Sequence, residues 1–497
     1  MNQTQTSGRA PVRPPEGLDA VEITGLTADS RSVRPGYLFA ALAGAKTSGT
    51  AFIGEAQRRG AVAVLAPAGT SLGADASRMT LIEDVLPRRR FALMAAAFHG
   101  GQPEFTAAVT GTSGKSSTVS FARQIWQALG LSAASLGTLG VESPVLTRYS
   151  GLTTADPVAL HADLAALARG GVTRAAMEAS SHGLDQFRLD GVRVRAAGFT
   201  SFGRDHLDYH VDTEAYFAAK LRLFTKVLAV GGVAVLNADI PEFARLKDAT
   251  ESSGHRVLSY GRQGLDFRIE SQVATPRGQS VRLLVQDRIF DFELPLVGAF
   301  QLMNALCALG LVAASEIAQL SAIAHDPKFV AMIAGFESLQ GVRGRLEHVA
   351  TLPNGASVYV DYAHNPDALV AVLEALRPHA TGRLILAFGC GGDRDPGKRP
   401  LMGAIAARLA DRVIVTDDNP RSEDPAAVRA AILAESPGAI EIGDRAEAIE
   451  AGIRALGPGD VLVIAGKGHE EGQIVGDIVL PFDDAAVARD VVKALAS

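Results

Sequence analysis

Short apolar runs alternate with helical patterns along most of the chain. The run from Phe105 to Thr110 is typical of a buried strand, and the residues from Thr118 to Leu129 carry apolar side chains at helical spacing. The same alternation continues to about Gln340 and then again towards the C-terminus. Strands alternating with helices favour an α/β fold built on parallel, doubly wound sheets.

Glycine and proline interrupt this pattern at two places. One is the segment from His99 to Pro103, and the other runs from Gln340 to Arg345. We therefore predict a small N-terminal α/β domain over 18–103, a central parallel-sheet domain over 104–342 and a C-terminal Rossmann-like α/β domain over 343–497. The polar, proline-rich stretch 1–17 is predicted to be a disordered tail.

A glycine-rich loop follows the apolar run that ends at Thr110. Its residues are Gly111, Thr112, Ser113, Gly114, Lys115, Ser116 and Ser117. A strand, a glycine loop and a helix in this order present backbone N–H groups and a helix N-terminus to phosphates. Lys115 is placed to reach the β- and γ-phosphates, and the Ser116 hydroxyl to bind Mg²⁺. Val109 stands where the general P-loop has glycine, so a glycine turn without a ligand is the alternative.

Polar clusters follow many of the predicted strands at their carboxyl ends. In open α/β sheets these ends are where ligands bind. The clusters lie at 111–117, 178–183, 204–206, 237–239, 361–364, 392–394, 418–421 and 467–470. Because they are spread over two predicted domains, we expect two sites that face one cleft.

Glu178 closes an apolar strand, where a lone carboxylate is costly unless it is paired or binds a cation. His206 and His210 follow at a spacing that a zinc pair could use, although a structural role is the other interpretation. With a phosphate loop in the same domain, we favour a Mg²⁺ site built on Ser116, Glu178 and His206.

Lys220 lies on a predicted helix from Thr213 to Leu228 and flanks its apolar stripe. Such a lysine can simply extend its amine to the surface along apolar neighbours. Alternatively, its pKa is depressed by burial, and the neutral amine is available for covalent modification.

The C-terminal clusters suggest a pocket for an amino acid. Arg421 and Arg394 suit the capture of carboxylates, Asn419 offers a donor and an acceptor, and Glu470 suits an ammonium group. This combination fits a diamino-dicarboxylic acid. A polar loop that caps the next helix is the plainer interpretation of residues 418–421.

Composition narrows the class of protein. The 497 residues carry 48 Lys and Arg against 54 Asp and Glu, a net charge of −6, which argues against bulk binding of nucleic acid. Two cysteines predict no disulfide framework and a reducing compartment, the cytoplasm. We also expect no membrane span and no signal peptide.

Together, these motifs resemble those of the Mur ligases, from Thr27 onward. Within that family, residues 418–421 resemble the signature of the enzymes that add meso-2,6-diaminopimelate to UDP-N-acetylmuramoyl-L-alanyl-D-glutamate. The resemblance implies an ATP-dependent amide ligase of peptidoglycan synthesis that uses Mg²⁺ and forms an acyl phosphate. It also implies an N-terminal UDP-binding domain, a central ATPase domain, a C-terminal amino-acid-binding domain and a monomer.

The resemblance assigns roles to individual residues. It implies ATP contacts from the loop 111–117 and from Asn304, Arg345 and Asp361. It implies contacts to the UDP-linked substrate from Ser30, Thr153, Thr154, Ser180, Gln186 and Arg188. It implies diaminopimelate contacts from Arg394, Asp418, Asn419, Pro420, Arg421, Gly466 and Glu470. It implies metal ligation by Ser116, Glu178, His206 and Lys220, the last as N6-carboxylysine, and catalytic roles for Lys115, Glu178, His206, Lys220 and Arg345.

Several rival functions remain open from the sequence. A lysine-adding ligase of the same family would leave Arg421 without a second carboxylate to bind. A folylpolyglutamate-type ligase should lack the segment around Ser30. A P-loop kinase or switch would need no C-terminal amino-acid pocket, and a non-enzymatic scaffold would have little use for the Lys115, Glu178, His206 and Lys220 set.

Overall fold

The computed structural model describes residues 22–44, 47–73, 79–149, 152–203, 205–206, 209–275 and 278–496. These residues form three α/β domains in succession, each with its own sheet. The predicted tail over 1–17 lies outside the described residues. The domain boundaries inferred from glycine and proline remain predictions.

The N-terminal domain contains a four-stranded parallel sheet in the order β1-β2-β3-β4. Its apolar strands pack against the helix α2, which begins at a proline and ends at the left-handed Gly100. The strands are β1 (Gly25–Thr27), β2 (Tyr37–Ala40), β3 (Ala63–Pro67) and β4 (Thr80–Asp84), and the helices are α1 (Ile53–Arg58) and α2 (Pro87–His99).

The central domain contains an eleven-stranded sheet in the order β15-β14-β13-β12-β11-β10-β5-β9-β6-β7-β8. Its middle strands are parallel, as predicted, but both edges are antiparallel. The strands are β5 (Phe105–Thr110), β6 (Ala133–Gly137), β7 (Gly140–Glu142), β8 (Thr147–Arg148), β9 (Arg174–Glu178), β10 (Val194–Phe199), β11 (Leu228–Asn237), β12 (Arg256–Gly261), β13 (Phe267–Thr275), β14 (Gly278–Val285) and β15 (Arg288–Leu294).

Helices cover both faces of this sheet. They are α3 (Lys115–Ala128), α4 (Pro157–Arg169), α5 (Ser181–Asp185), α6 (Thr213–Arg222), α7 (Phe243–Ser252), α8 (Ala299–Glu316) and α9 (Pro327–Ala334). The predicted helix from Thr213 to Leu228 is too long. The α-helix ends at Arg222, the turn Leu223–Val227 is π-helical, and Leu228 already begins β11. A π-helical turn widens the end of the helix and turns the chain into the sheet.

The long apolar helix α8 lies in the core of the central domain. By length and composition alone it could cross a membrane, but 67% of it is buried within the protein. It packs against α3, where the indole N–H of the buried Trp126 donates to Ser315 Oγ at 2.8 Å. Burial of this kind is typical of a core helix in a large sheet protein.

The C-terminal domain has a six-stranded sheet in the order β16-β17-β21-β18-β19-β20, parallel except for the edge strand β16, and a separate hairpin. The strands are β16 (Glu347–Thr351), β17 (Ser357–Asp361), β18 (Leu384–Phe388), β19 (Arg412–Val415), β20 (Ile440–Glu441), β21 (Val461–Ala465), β22 (Gly472–Val475) and β23 (Ile478–Pro481). The helices are α10 (Pro366–Leu376), α11 (Lys398–Leu409), α12 (Pro425–Leu433), α13 (Arg445–Arg454) and α14 (Asp484–Ala496).

Candidate active site

The phosphate loop, residues 111–117, joins β5 to α3. Gly111 and Gly114 have φ angles of 149° and 89°, which favour glycine. A Cβ atom on Gly111 would lie 2.0 Å from Thr200 Oγ1, and one on Gly114 would lie 2.3 Å from Asn304 Oδ1. Asn304, a predicted ATP contact, is therefore packed against the loop. The helix begins at Lys115, so its first N–H groups are directed at the loop.

Lys115 is folded back over this loop. Its Nζ donates to the carbonyl oxygens of Gly111 and Thr112, at 2.9 Å each. Burial lowers the pKa of the Lys115 amine, the nearby Glu178 raises it, and Arg345 lowers it further.

Glu178 accepts hydrogen bonds from two neighbouring segments. Ser116 Oγ donates to its Oε1 at 2.9 Å, and the backbone N–H of Thr138 donates to the same oxygen at 2.8 Å. Glu178 can approach this segment closely because residue 137 is glycine. A Cβ atom on Gly137 would lie only 2.1 Å from Glu178 Oε1. Carboxylate and hydroxyl oxygens are the donors that Mg²⁺ prefers, so Ser116 and Glu178 fit this ion.

The residues predicted to contact the UDP-linked substrate in the central domain form one network. Thr153 meets Thr138 at 3.1 Å between hydroxyl oxygens, and Thr138 also donates to Glu178. Thr154 pairs with Ser180 at 3.0 Å. Arg188 donates to the Thr154 carbonyl at 2.6 Å and to Gln186 Oε1 at 2.8 Å. The network is therefore continuous with the Ser116–Glu178 pair.

Ser30, in contrast, lies in the N-terminal domain. Its buried hydroxyl donates to Glu55 Oε2 at 3.2 Å. This domain is held to the central domain by Asp190, which accepts from Arg89 of α2 at 3.0 Å and from Arg222 of α6 at 2.7 Å. The described contact of the Ser30 side chain thus lies within its own domain.

Lys220 is 1% exposed and points into the phosphate loop. Its Nζ donates to the Gly111 carbonyl at 2.8 Å and lies 4.4 Å from the centroid of the Tyr216 ring. Burial lowers the pKa of the amine well below its usual value, and the charge of Lys115 lowers it further. The plainer interpretation, an amine that extends to the surface, is wrong for this residue.

His206 lies beside a group of aromatic rings. Its ring centroid is 4.8 Å from that of His182 and 6.2 Å from that of Tyr216, and its Nε2 is 3.5 Å from Asp205 Oδ2. Of the four predicted metal ligands, the structure thus joins Ser116 to Glu178 directly. It places Lys220 on the phosphate loop and His206 against the His182 ring. Within the described ranges, no three His, Cys, Asp or Glu side chains are grouped as a metal site.

Arg345 precedes the edge strand β16, and Asp361 ends the neighbouring strand β17. The Arg345 guanidinium lies 4.6 Å from the centroid of the Tyr362 ring. Asp361 accepts backbone N–H groups of Leu346 at 2.7 Å and Ala363 at 2.8 Å. Burial raises the pKa of Asp361, and Arg345 opposes that shift. These two predicted ATP contacts are therefore close together and electrostatically coupled.

The predicted amino-acid pocket consists of Arg394, Asp418, Asn419, Pro420, Arg421, Gly466 and Glu470. Asn419 Nδ2 donates to Glu470 Oε2 at 2.9 Å, and a Cβ atom on Gly466 would lie 3.1 Å from Asp418 Oδ2. Arg421 Nη1 donates to the Gly392 carbonyl at 2.8 Å.

Both pocket arginines lie beside Gly391. A Cβ atom there would be 2.8 Å from Arg421 Nη1 and 3.8 Å from Arg394 Cγ. Residues that are far apart in sequence therefore meet at the carboxyl ends of β18, β19 and β21.

Three family models match the chain in order. They are "Mur ligase family, catalytic domain" over residues 22–108, "Mur ligase middle domain" over 109–312, and "Mur ligase, glutamate ligase domain" over 344–468. The chain belongs to the Mur ligase family. Val109 lies in β5, two residues before the phosphate loop.

One similar Mur ligase is the UDP-N-acetylmuramoyl-L-alanyl-D-glutamate–2,6-diaminopimelate ligase of Rhizobium meliloti (strain 1021). It is 53% identical over 476 residues, covering 96% of this chain and 95% of the relative. A solved structure of a ligase with the same name matches with a TM-score of 0.70 and 33% identity, covering 96% of each chain. Mycobacterium tuberculosis folylpolyglutamate synthase matches with a TM-score of 0.62 at 21% identity, covering 82% of this chain and 95% of that one, so this likeness concerns the fold alone.

Three residues of this Mur ligase site received no role from the sequence. Thr138 donates to Glu178, and Tyr216 lies beside Lys220 with its hydroxyl 3.2 Å from Thr112 Oγ1. Lys467 belongs to the predicted polar cluster 467–470, but its contact with Asn419 was not predicted. Thr138 follows β6 in a turn bounded by Gly137 and Gly140. A polar residue in such a turn at a strand end is a sequence signal for a site residue. Tyr216 precedes Lys220 by one helical turn, which places both on one face.

Proposed function

We propose that this Mur ligase joins 2,6-diaminopimelate to UDP-N-acetylmuramoyl-L-alanyl-D-glutamate in an ATP-dependent reaction of peptidoglycan precursor synthesis. The observation that carries the proposal is the amino-acid pocket. It combines two arginines beside Gly391 with the carboxylate of Glu470, in a chain 53% identical to a ligase of that name. Two carboxylates and an ammonium group of diaminopimelate would be matched by these charges.

The first step would be attack of the D-glutamate γ-carboxylate on the γ-phosphate of ATP. This yields an acyl phosphate and ADP. Lys115 and Arg345 would neutralise the phosphate charge where the carboxylate approaches, and the repulsion from Arg345 that lowers the pKa of Lys115 supports this pairing. An amine of diaminopimelate would then attack the acyl carbon, and the tetrahedral intermediate would collapse to the amide with release of phosphate and a proton.

Ser116, Glu178 and Lys220 are proposed to hold Mg²⁺, with His206 as a further ligand. The bound ion would screen the triphosphate charge. For Lys220, the proposal requires a carbamate on Nζ, which converts a buried amine into an oxygen donor. A neutral amine is the form that reacts with carbon dioxide, and burial of Lys220 favours that form.

The UDP-linked substrate is proposed to lie across the first two domains. Ser30 would contact the uridine end, while Thr153, Thr154, Ser180, Gln186 and Arg188 would contact the sugar and the dipeptide. The hydrogen-bonded path from Arg188 through Thr154 and Ser180 supports this assignment, because it ends at Glu178 beside the phosphate loop. Asn304 and Asp361 would contact ATP, and the packing of Asn304 against Gly114 supports its part of this assignment.

Further features of the proposal rest on the resemblance and on composition. These are the meso stereoisomer, domain boundaries at 103/104 and 342/343, a monomeric state and a cytoplasmic location. The lysine-adding alternative is less well supported because lysine offers no second carboxylate to the arginine pair.

Product analysis tests the choice of amino acid. The protein is incubated with ATP, the UDP-muramoyl dipeptide and an equimolar mixture of meso-diaminopimelate and lysine, and the products are identified by mass spectrometry. We expect the diaminopimelate tripeptide to predominate. A predominance of the lysine product would overturn this part of the proposal.

A further inference from the structure

A lysine that no step of the proposed reaction uses lies behind the amino-acid pocket. The Lys467 side chain is 0% exposed. Its Nζ lies 3.0 Å from Asn419 Oδ1, 3.3 Å from Glu470 Oε2 and 3.7 Å from Asp418 Oδ1. Full burial keeps this ammonium from reaching a ligand, yet its acceptors include two pocket residues.

The contacts of Asn419 fix the orientation of its amide group. Its Oδ1 accepts from Lys467 Nζ and from the backbone N–H of Ile474 at 2.9 Å, while its Nδ2 donates to Glu470 Oε2. A flipped amide would direct Nδ2 at two donors and Oδ1 at a carboxylate, and all three hydrogen bonds would be lost. Lys467 thus contributes one of the two donors that determine which group Asn419 presents to the pocket.

Glu470 is constrained by the same lysine. Its Oε2 receives both Lys467 Nζ and Asn419 Nδ2. The side chain is nevertheless 34% exposed. An ammonium group of a ligand would therefore meet a carboxylate that is held in a fixed position.

The backbone around Lys467 is built to direct the side chain inward. Gly466 and Gly468, on either side, have φ angles of 116° and 55°. A Cβ atom on Gly468 would also lie 2.7 Å from Tyr362 Cβ. These two positive φ angles produce a tight turn around Lys467. Any residue other than glycine at position 466 or 468 would strain the backbone.

The charges nearby show what Lys467 adds. Asp418 and Glu470 are both acidic, Asp418 is buried, and the other buried cation near them, Arg445, is paired with Asp484 at 2.7 Å. Without Lys467, three carboxylates would share one buried cation, and a pocket for an amino acid would carry excess negative charge. That excess would disfavour the carboxylates of the amino acid.

We propose that Lys467 is a positioning residue for the amino-acid substrate. It orients Asn419 and Glu470 and balances the charge behind them, without touching the ligand. The proposal rests on the proposed function, because the substrate is taken to be the diamino-dicarboxylic acid. It concerns the second half of the reaction only, in which the amine attacks the acyl phosphate.

The test compares Lys467→Met, which keeps the length of the side chain and removes the charge, with the wild-type protein. The KM for diaminopimelate is expected to rise about 10- to 100-fold, which corresponds to the loss of charge-assisted hydrogen bonds. The KM values for ATP and the UDP-dipeptide should change less than about threefold. A role in general stability alone would lower the amount of active protein without this split, and a wild-type KM for diaminopimelate would overturn the proposal.

Hydroxylamine provides a readout that does not depend on the pocket. It takes the acyl group of the acyl phosphate, so a hydroxamate and phosphate form without diaminopimelate. The Met variant should still form the hydroxamate. If the wild-type protein forms none from the UDP-dipeptide, the proposed function itself fails, which is distinct from failure of the Lys467 proposal.

Two further variants complete the design. Arg454→Met removes an exposed cation of the same domain and should leave all three KM values unchanged. Lys467→Gln decides the matter if the Met variant misfolds and forms no hydroxamate. A Gln variant with a selectively raised KM for diaminopimelate supports the proposal, whereas one that keeps the wild-type KM, or that also forms no hydroxamate, overturns it.

Discussion

The amine of Lys220 donates a hydrogen bond to the carbonyl oxygen of Gly111, 2.8 Å away, in the phosphate loop. Lys115 donates to the same oxygen at 2.9 Å, so a buried lysine and a half-buried one converge on one carbonyl. Because burial and the charge of Lys115 both lower the pKa of Lys220, the neutral form of that amine is favoured. This pair is the basis for the proposed carbamate.

Replacement of Lys220 by alanine tests the carbamate. We expect phosphate release to fall at least about 100-fold, a loss like that of other oriented charged groups in phosphoryl and acyl transfer. Short carboxylic acids should partly restore the rate, because they can occupy the position of the carbamate. The measurement is the steady-state rate with and without added carboxylate, in buffer with and without bicarbonate.

Lys226→Ala is the matched control, since Lys226 is an exposed lysine only six residues along the chain. It should retain wild-type turnover. A Lys220→Ala variant that stays active and ignores bicarbonate would refute carbamylation.

Replacement of Lys115 by alanine should separate catalysis from substrate binding. We expect kcat to fall about 100- to 1,000-fold, because Lys115 is placed where charge accumulates on the phosphates. The Kd for the UDP-dipeptide, measured by calorimetry, should change less than about threefold. Lys328→Ala, an exposed lysine of the same domain, serves as the control. Near-normal turnover without Lys115 would rule out its phosphate role.

Arg421→Ala should weaken the preference for a second carboxylate. Loss of a charge-assisted contact costs about 1.5–3 kcal/mol, so the KM for diaminopimelate should rise about 10-fold or more. The KM for lysine should not rise in parallel, because lysine has no second carboxylate to lose. Equal effects on both amino acids would instead indicate that Arg421 only supports the Gly392 carbonyl, to which it donates.

Gly344, in the segment between the second and third domains, provides a test of coupling between them. Its φ is 66°, and a Cβ atom there would lie 2.2 Å from the backbone nitrogen of His469, next to the amino-acid pocket. We expect Gly344→Ala to lower both Tm and the rate of amide formation.

Gly355→Ala is the control for that variant. Its φ is 85°, so the backbone strain is comparable, but nothing lies within 4 Å of the added Cβ. It should cost about 1–2 kcal/mol of stability without a change in rate. If both variants behave alike, contact between Gly344 and the pocket loop has no role in activity.

The local sequence patterns were sufficient to predict the parallel centre of the fold and the phosphate loop. The buried strand before Gly111 and the helix that begins at Lys115 follow from hydrophobic periodicity and glycine placement, which are short-range signals. The antiparallel strands β13, β14 and β15 were not predicted, because pairing partners and strand direction depend on tertiary contacts.

The supporting residues of the site were missed for a related reason. Thr138 is 40 residues from Glu178, and Lys467 is 48 residues from Asn419 along the chain. Nothing in the sequence near Lys467 indicates that its amine is buried rather than solvated. Residues that bind ligands can be recognised in the sequence by their type and motif. The residues that orient them can be identified only from the tertiary structure, which brings distant strands together.

Phosphate release is the most direct test of the central proposal, that the phosphate loop and the amino-acid pocket serve one ligase reaction. The protein is assayed with ATP alone, with the UDP-muramoyl dipeptide, and with the dipeptide plus either meso-diaminopimelate or lysine. Sustained phosphate release is predicted only with ATP, the dipeptide and diaminopimelate together. Equal release with ATP alone, or full turnover with lysine in place of diaminopimelate, would contradict it.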